Sequence, residues 1–485
     1  MKIAIKEKVS EELSKIKERK FEKDGFIYED DSCEILIGFN KSYEFSKEIV
    51  LPSTLKVIED KALSNFKAPL STMIIPWSVE RIGHYAFENV ELNTVFFEEG
   101  IKKINAQSFT FNRIKNIKLA ESIKELEEEA FAYSSIENIN LENVEIFNCR
   151  ALARTCIKEA TIRNAKELQP EVFLASDVEK ITYNSSLSIP TKFCAECSKL
   201  KEFTVLKSFN KIGDFAFVIT PALTSFNFPE GLMLIGKRAF QNSGIETVTL
   251  PNSIDLIANE AFGNCKKLKS FYFPVNPKSN ISLGNLLFKN SSLPILNIPP
   301  AVNMIEPWSL ASSNLEKVII NASIDALPKH FASNSKNLSE IIIENPSIKS
   351  LGNSCFSNTG IVEVGEQFKN IEYFGENCFS DCKKLDVAYI YTTVMTQSMF
   401  RGCDNLRYAV FLNDIESNIP IINLPRNVKG YMRKSDNTWT ASNIESRKEM
   451  IQDVEEISEK IMNEMSFRKA SKILDKLSEI VNNER

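Results

Sequence analysis

The chain has 485 residues, a hydrophobic content of 43% with 33 Phe, and a net charge of −5 at pH 7. Lys and Arg (59) do not outnumber Asp and Glu (64), so no nucleic-acid partner is predicted, because phosphate binding normally needs an excess of basic residues. No segment approaches the roughly 18 to 20 apolar residues that span a bilayer, so membrane insertion is not predicted either.

The first element predicted is an amphipathic helix over residues 2–21. Its apolar residues, such as Ile5, Val9 and Leu13, recur every three or four positions. The same stretch alternates charges and has no apolar segment of signal-peptide length, which predicts a cytoplasmic protein. Secretion by a route without a cleaved signal is compatible with the same pattern, so that alternative stays open.

A β-hairpin over residues 25–39 is predicted to follow the helix, with its turn at Asp30-Asp31-Ser32. Together the helix and hairpin make an N-terminal region, residues 1–46. We expect the hairpin to pair with the first coil of the next region and so to cover its open edge.

Residues 47–426 contain a single repeated sequence, most legible as IGKRAFQNSGIETVTLP at residues 235–251. Each repeat has an anchor, a Phe or Leu that typically follows a small residue, and the anchors are 20 to 26 residues apart. A period of this length predicts a solenoid of about sixteen coils, because one unit cannot bury its apolar face alone. The anchors are Leu63, Phe87, Phe109, Phe131, Leu152, Phe173, Phe193, Phe217, Phe240, Phe262, Phe288, Leu310, Phe331, Phe356, Phe379 and Phe400.

Each repeat predicts one short β-strand per coil. Apolar residues alternate after the anchor, as at Val248 and Leu250, which is typical of a strand with one buried face. A proline such as Pro251 ends the strand, and an asparagine such as Asn242 forms a turn two residues after the anchor. An irregular or 3-10 stretch completes the coil, and strands of successive coils pair in parallel.

The C-terminal region is predicted to consist of a linker and helices. Residues 427–443 are polar and rich in turn-forming residues, which indicates a linker. Residues 444–485 form a helical segment, with apolar residues such as Ile457 and Ile461 at helical spacing. This segment either caps the last coil or projects as a coiled-coil or partner-binding arm, through which the protein could self-associate.

The repeat resembles that of BspA-like leucine-rich repeat proteins, also called the Treponema pallidum type. The shared features are the I-G-x-x-A-F block at 212–217 and 235–240, the following N-x-C or D-C, and the strand L-x-x-h-x-h-P at 268–274. The resemblance covers roughly residues 47 to 425 and implies a leucine-rich repeat solenoid. It also implies an adhesin or protein-binding role. The coils from 149 to 206 depart from the block.

No catalytic, metal or cofactor site is predicted. The two histidines, His84 and His330, fall on different coils, and no nucleophile, base and orienting group converge. Cys194 and Cys197 have the spacing of metal ligands, but a tetrahedral zinc site needs four converging ligands. The ten cysteines mostly recur at equivalent repeat positions and are interpreted as packing residues.

The best candidate site is the outward face of the strands. It is polar from Lys118 to Thr249 and becomes apolar and aromatic from Tyr272 onward, as protein-binding surfaces often do. The alternatives are a register shifted by one residue, or C-terminal helices that fold over this face. The candidate protein-binding residues are Tyr272, Ile319, Ile342, Tyr389, Tyr408 and Val410.

The sequence therefore predicts a non-enzymatic scaffold that presents a leucine-rich repeat surface to another protein. Two alternatives stay open: a structural oligomer assembled through the C-terminal helices, and a host-interacting effector or adhesin.

Overall fold

The computed structural model describes residues 20–391, 398–415, 429–434 and 439–442. The chain divides into two compact units, Met1–Ile245 and Glu246–Arg485. In each unit it winds as a parallel β-solenoid, and all sixteen anchors are buried, with Phe240 and Phe262 fully enclosed. The predicted solenoid is therefore confirmed in each unit.

A coil of this solenoid contributes two strands, where the sequence predicted one. The pre-anchor strand is a short segment of two to four residues whose last, apolar residue lies four or five positions before the anchor, and the face strand is the alternating segment after the anchor. The pre-anchor strands of the first unit are β5 (Val57–Ile58), β7 (Arg81–Ile82), β9 (Lys103–Ile104), β11 (Glu125–Leu126), β13 (Ile146–Phe147), β15 (Glu167–Leu168), β18 (Lys211–Ile212) and β19 (Leu234–Ile235). Its face strands are β4 (Glu48–Val50), β6 (Lys67–Ile75), β8 (Glu91–Phe97), β10 (Asn116–Lys118), β12 (Asn138–Ile139), β14 (Glu159–Ile162), β16 (Lys180–Tyr183) and β17 (Glu202–Val205).

The second unit repeats the arrangement. Its pre-anchor strands are β21 (Leu256–Ile257), β23 (Ile281–Leu283), β25 (Val302–Ile305), β27 (Ala326–Leu327), β29 (Ser350–Leu351) and β31 (Tyr373–Phe374). Its face strands are β20 (Thr247–Thr249), β22 (Ser270–Tyr272), β24 (Ile295–Ile298), β26 (Lys317–Ile320), β28 (Glu340–Ile343), β30 (Glu363–Val364), β32 (Val387–Ile390) and β33 (Tyr408–Ile415). The pairing places equivalent residues of successive coils opposite each other.

The stretch around most anchors is a turn with two left-handed residues, one two positions before the anchor and one two positions after it. Around Phe193 and Phe331 they lie one position before and three after. Around Phe87 these are Tyr85 (φ 55°) and Asn89 (φ 53°). The backbone N–H groups of all three residues donate to carbonyl oxygens of the next coil at N–O distances of 3.0–3.1 Å. Asparagine tolerates positive φ better than other side chains, which explains its recurrence after the anchor.

The anchor rings form a continuous core along each unit. Ring centroids lie 4.1 Å apart for Phe87 and Phe109, and 6.0 Å apart for Phe356 and Phe379. The coils pack so closely that a Cβ atom added to Gly236 would lie 2.7 Å from the backbone nitrogen of Asp214. Close stacking therefore explains the glycine of the I-G-x-x-A-F block.

A three-stranded antiparallel meander closes the first coil. It consists of β1 (Phe21–Lys23), β2 (Phe26–Tyr28) and β3 (Ile35–Phe39), and β3 continues in parallel with β5. A hairpin thus lies at the position predicted from the sequence. The predicted helix over 2–21 does not extend to its last residue, because Phe21 already belongs to β1, and its residues 1–19 lie outside the described part of the chain.

The predicted linker over 427–443 instead contains two strands. β34 (Lys429–Lys434) pairs in parallel with β33, and β35 (Trp439–Ser442) pairs antiparallel with β34. Aromatic and β-branched residues in these segments favour strands, which the count of turn-forming residues overlooked. The helical segment predicted over 444–485, with its coiled-coil alternative, lies outside the described residues.

Helical structure is almost absent from the described part of the chain. It comprises one 3-10 turn, Glu366–Phe368, and no α-helix. Accordingly, no helix in the described ranges is long and apolar enough to cross a bilayer.

Replacement of Phe109 by Ala is expected to lower the free energy of unfolding by about 3–5 kcal/mol, because a fully buried ring leaves a cavity. The same loss is expected for Phe240→Ala and Phe262→Ala. The matched control is Phe111→Asn two residues away, expected to cost less than about 1 kcal/mol because that ring is half exposed and Asn suits its φ of 56°. Urea unfolding of the four variants measures this, and equal losses at 109 and 111 would contradict the stacked core.

Candidate functional site

The candidate site of the second unit is the outward face of strands β20 to β28. Residue pairing places Thr249 opposite Tyr272, and Ile319 opposite Ile342. Tyr272 is 55% exposed, while Ile319 and Ile342 are half-buried. Three of the six candidate residues therefore lie on the outward face, between inward-pointing residues that belong to the core.

The other three candidates, Tyr389, Tyr408 and Val410, are buried at 3%, 4% and 0% exposure, so their prediction as surface residues is wrong. They come from neighbouring strands, with Tyr389 opposite Val410. All four residues of β32 are buried, so this strand is covered on both faces. Its sequence, Val-Ala-Tyr-Ile, has no polar residue, and a continuous apolar run is typical of a fully buried strand rather than a half-exposed one.

The outward face ends at Gly365, which is itself buried. The 3-10 turn Glu366–Phe368 follows directly, and the hydroxyl group of Tyr391 donates to the carboxylate of Glu366 at 3.0 Å. Burial raises the pKa of Tyr391, so the phenol stays protonated and can donate. The exposed part of the face in this unit therefore spans β20 to β28.

The structure adds Ile295 to this surface. Its side chain is 52% exposed at the start of β24, and its backbone pairs with Lys317 of β26. Lys317 in turn forms an ion pair with Glu340 at 2.5 Å. The sequence interpretation assigned one outward residue to each strand, which in β24 was Asn297. Because side chains alternate along a strand, Ile295, two residues earlier, also points outward, and it was missed for that reason. We name Tyr272, Ile295, Ile319 and Ile342 the Tyr272 surface.

The first unit also exposes apolar residues on its face strands. Val50 is 61% exposed and Phe96 45% exposed, and both pair in register with Ile74 between them. Lys118 follows Phe96 in the same row and begins the polar stretch that the sequence predicted.

Cysteine thiols join neighbouring coils inside the core. Three of them donate to the backbone carbonyl oxygen of the anchor in the preceding coil, at Sγ–O distances of 2.9–3.3 Å. The pairs are Cys197 to Phe173, Cys382 to Phe356 and Cys403 to Phe379. Cys194 and Cys197, which have metal-ligand spacing in the sequence, are both fully buried. Among the described residues, no three His, Cys, Asp or Glu side chains are grouped as a metal site requires.

The two histidines have separate surroundings. His84 is exposed in the first unit, whereas His330 belongs to the second unit and stacks on Trp308, with ring centroids 3.8 Å apart and planes inclined by 10°. Burial lowers the pKa of His330, and the charge of Lys329 adds to the effect. The imidazole therefore serves as a neutral stacking partner at pH 7.

Tyr389→Ser is expected to destabilise the protein by about 3 kcal/mol or more, because a buried aromatic side chain is removed. Tyr272→Ser, its surface counterpart, is expected to change the free energy of unfolding by less than about 0.5 kcal/mol. Chemical unfolding of both variants tests the assignment, which fails if the serine at 389 is tolerated as well as the one at 272.

Comparison with known families matches the BspA type leucine rich repeat region, over residues 38–158, 187–308, 269–386 and 309–422. A comparison with curated proteins finds no match.

The fold is also that of a solved structure. A leucine-rich repeat protein from Bacteroides ovatus aligns with a TM-score of 0.51 and 18% identity, covering 85% of this chain and 97% of the other. A leucine rich cell surface protein from Faecalibacterium prausnitzii (TM-score 0.28, 17% identity, 81% and 95% covered) and the T. pallidum leucine-rich repeat protein (0.26, 18%, 43% and 78%) are also similar. With the family pattern present over well more than half of its length, the chain belongs to the BspA-type leucine-rich repeat family.

Proposed function

We propose that the protein is a non-enzymatic scaffold that binds another protein through the outward strand face of its solenoid. The observation that carries this proposal is the Tyr272 surface, in which aromatic and β-branched side chains stay at least partly exposed on face strands β22 to β28, with Ile319 and Ile342 opposite each other on paired strands. Exposed apolar residues that adjoin one another commonly mark a protein-binding site, whereas isolated ones do not.

The composition of this surface suits a protein partner. Tyrosine supplies a large contact area with little conformational entropy to lose, and residues of this type dominate interface energies. The Lys317–Glu340 ion pair lies in the Ile295 row and would form a polar rim beside the apolar residues. Because the side chains project from hydrogen-bonded strands, little backbone ordering is needed on binding.

The surroundings of the cysteines and histidines, the residues best suited to nucleophilic catalysis, support a non-enzymatic role. Burial raises the pKa of the Cys149 and Cys156 thiols, the two cysteines nearest to solvent, so neither is an activated thiolate at neutral pH. Within the described residues, neither His84 nor His330 forms a side-chain hydrogen bond to a serine, threonine or cysteine.

A cytoplasmic location is proposed on the basis of the cysteines. The described chain has no disulfide, although the buried thiols of Cys355 and Cys378 are close enough to share a hydrogen bond. Free thiols that serve as buried packing residues suit a reducing compartment.

A second candidate function is a structural oligomer assembled through residues 444–485, based on their helical apolar spacing. Light scattering of the full chain and of an Ile457→Asp, Ile461→Asp variant separates the two proposals, because only assembly through this segment predicts a lower mass for the variant.

The double variant Tyr272→Ser, Ile342→Ser is expected to weaken partner binding by about 2 kcal/mol or more, roughly thirtyfold in Kd. Partners captured from native lysate by the full chain would be titrated against the wild type, the double variant and an Asn297→Ser control. Asn297 is a polar, exposed residue that pairs with Ile319 in the same row, so its replacement should leave Kd unchanged. An unchanged Kd in the double variant would remove this surface as the binding site.

A further inference from the structure

The face strands of the first unit enclose a pocket of about 370 Å³ that the protein-binding proposal does not use. It opens on the outward face across three successive coils. Its apolar floor is Ile139, and the residues around it are Ile117, Lys118, Asn138, Asn140, Glu142, Lys158, Glu159 and Thr161.

The pocket forms where the parallel ladder is interrupted. β10 pairs with β12, and β14 pairs with β16, but within the described chain β12 and β14 do not pair. At the start of the strands the backbone N–H of Lys158 donates to the carbonyl oxygen of Glu137 at 3.2 Å, and beyond their ends the side chain of Asn164 donates to the carbonyl oxygen of Glu142 at 2.9 Å. The gap leaves Ile139 half-buried, although its counterparts Ile117 and Ile181 are enclosed.

The charged residues around the pocket lack the ion pairs that neighbouring coils have. Further along the same rows, Lys201 pairs with Glu179 at 2.6 Å, and Lys180 pairs with Glu202 at 3.3 Å. By contrast, no described acidic or basic group forms an ion pair with the four pocket charges, Lys118, Glu142, Lys158 and Glu159.

Amide side chains fix one wall of the pocket. Asn140 is held by two hydrogen bonds of 2.8 Å to the backbone N–H and carbonyl of Leu119. Asn138 donates to the side-chain oxygen of Asn116 at 2.9 Å. The wall is therefore already ordered before any ligand binds.

We propose that this pocket binds a small zwitterion, a free α-amino acid or a dipeptide. The lysine ammonium groups would hold the ligand carboxylate, and the glutamate carboxylates would hold its ammonium group. Two positive and two negative groups without ion pairs complement a ligand that carries both charges, and charge-assisted hydrogen bonds are the strong ones. An anion alone would leave Glu142 and Glu159 unmatched, and a neutral sugar would leave all four charges unmatched. The volume, at the lower end for ligand pockets, suits a small molecule.

Isothermal titration calorimetry on the full chain tests the proposal with the free amino acids, Gly-Gly, acetate, ethylamine and glucose as ligands. We expect at least one free amino acid or Gly-Gly to bind, its N-acetyl amide derivative to bind more weakly, and acetate, ethylamine and glucose to bind weakly or not at all.

Two substitutions with matched controls locate the site. Lys158→Gln and Glu159→Gln are expected to weaken binding about tenfold or more, as the loss of a charged hydrogen bond would. Lys201→Gln and Glu202→Gln, in the same rows, should leave the affinity unchanged, and Lys158→Arg should retain most of it. All four side chains reach solvent, and thermal unfolding should be the same for each of the five variants.

The proposal is overturned if the wild type binds no amino acid and no Gly-Gly at millimolar concentration, or if the blocked derivative binds as well as the zwitterion. Binding that survives both Lys158→Gln and Glu159→Gln would also overturn it. Because the Tyr272 surface belongs to the other unit, loss of this site leaves the protein-binding test unaffected.

Discussion

The constraint on which this structure depends is that each coil must hydrogen-bond its backbone to the next coil around a buried anchor. The alternation of left-handed and ordinary residues points the N–H groups of Tyr85, Phe87 and Asn89 toward one neighbour. A left-handed non-glycine residue costs roughly 1–2 kcal/mol, so the turn persists only where the inter-coil hydrogen bonds and the enclosed anchor ring offset that cost. The sequence repeats because each coil is stabilised by its contacts with adjacent coils. A coil that could not form these hydrogen bonds would also destabilise its neighbours.

Stacking in register also orders the surface into rows of equivalent residues. At the position two after the anchor, Asn89 donates to Asn65 at 2.7 Å, while further along Phe111 and Tyr133 stack with ring centroids 4.8 Å apart. Charged rows behave similarly, as where Glu171 accepts hydrogen bonds from Arg150 and Lys192. Where the side chains of a row are exposed, such contacts contribute little energy singly, whereas Glu171 is itself buried. A row whose side chains already bind each other has few groups left to bind a partner.

The sequence was sufficient to predict the solenoid, the anchors and the parallel stacking, because these depend on a pattern repeated in every coil. It did not predict the pre-anchor strands, since two residues such as Ile58 and its neighbour are too few for periodicity to show. Of the six candidate residues, Tyr272, Ile319 and Ile342 lie on the outward face as predicted, but Tyr389, Tyr408 and Val410 are buried. The sequence interpretation assumed that buried and exposed side chains continue to alternate in strands such as β32, whose residues are all apolar and are all buried. The pocket beside Ile139 could not be predicted, because the break in pairing depends on how two whole coils meet.

Both proposed binding sites lie where a row of equivalent residues departs from the regular repeat. Ile319 and Ile342 lie opposite each other on paired strands, and their side chains stay partly exposed on the outward face. Between β12 and β14 the strand pairing is interrupted, and the nearby charged side chains form no ion pairs within the described chain. Because folded proteins are only marginally stable, such missing interactions persist only when their energetic cost is small or offset elsewhere. Both departures lie on the strand face, where side chains are held by paired backbone and a ligand meets an ordered surface. A solenoid of this kind can therefore change what it binds coil by coil, without altering the anchors that hold the coils together.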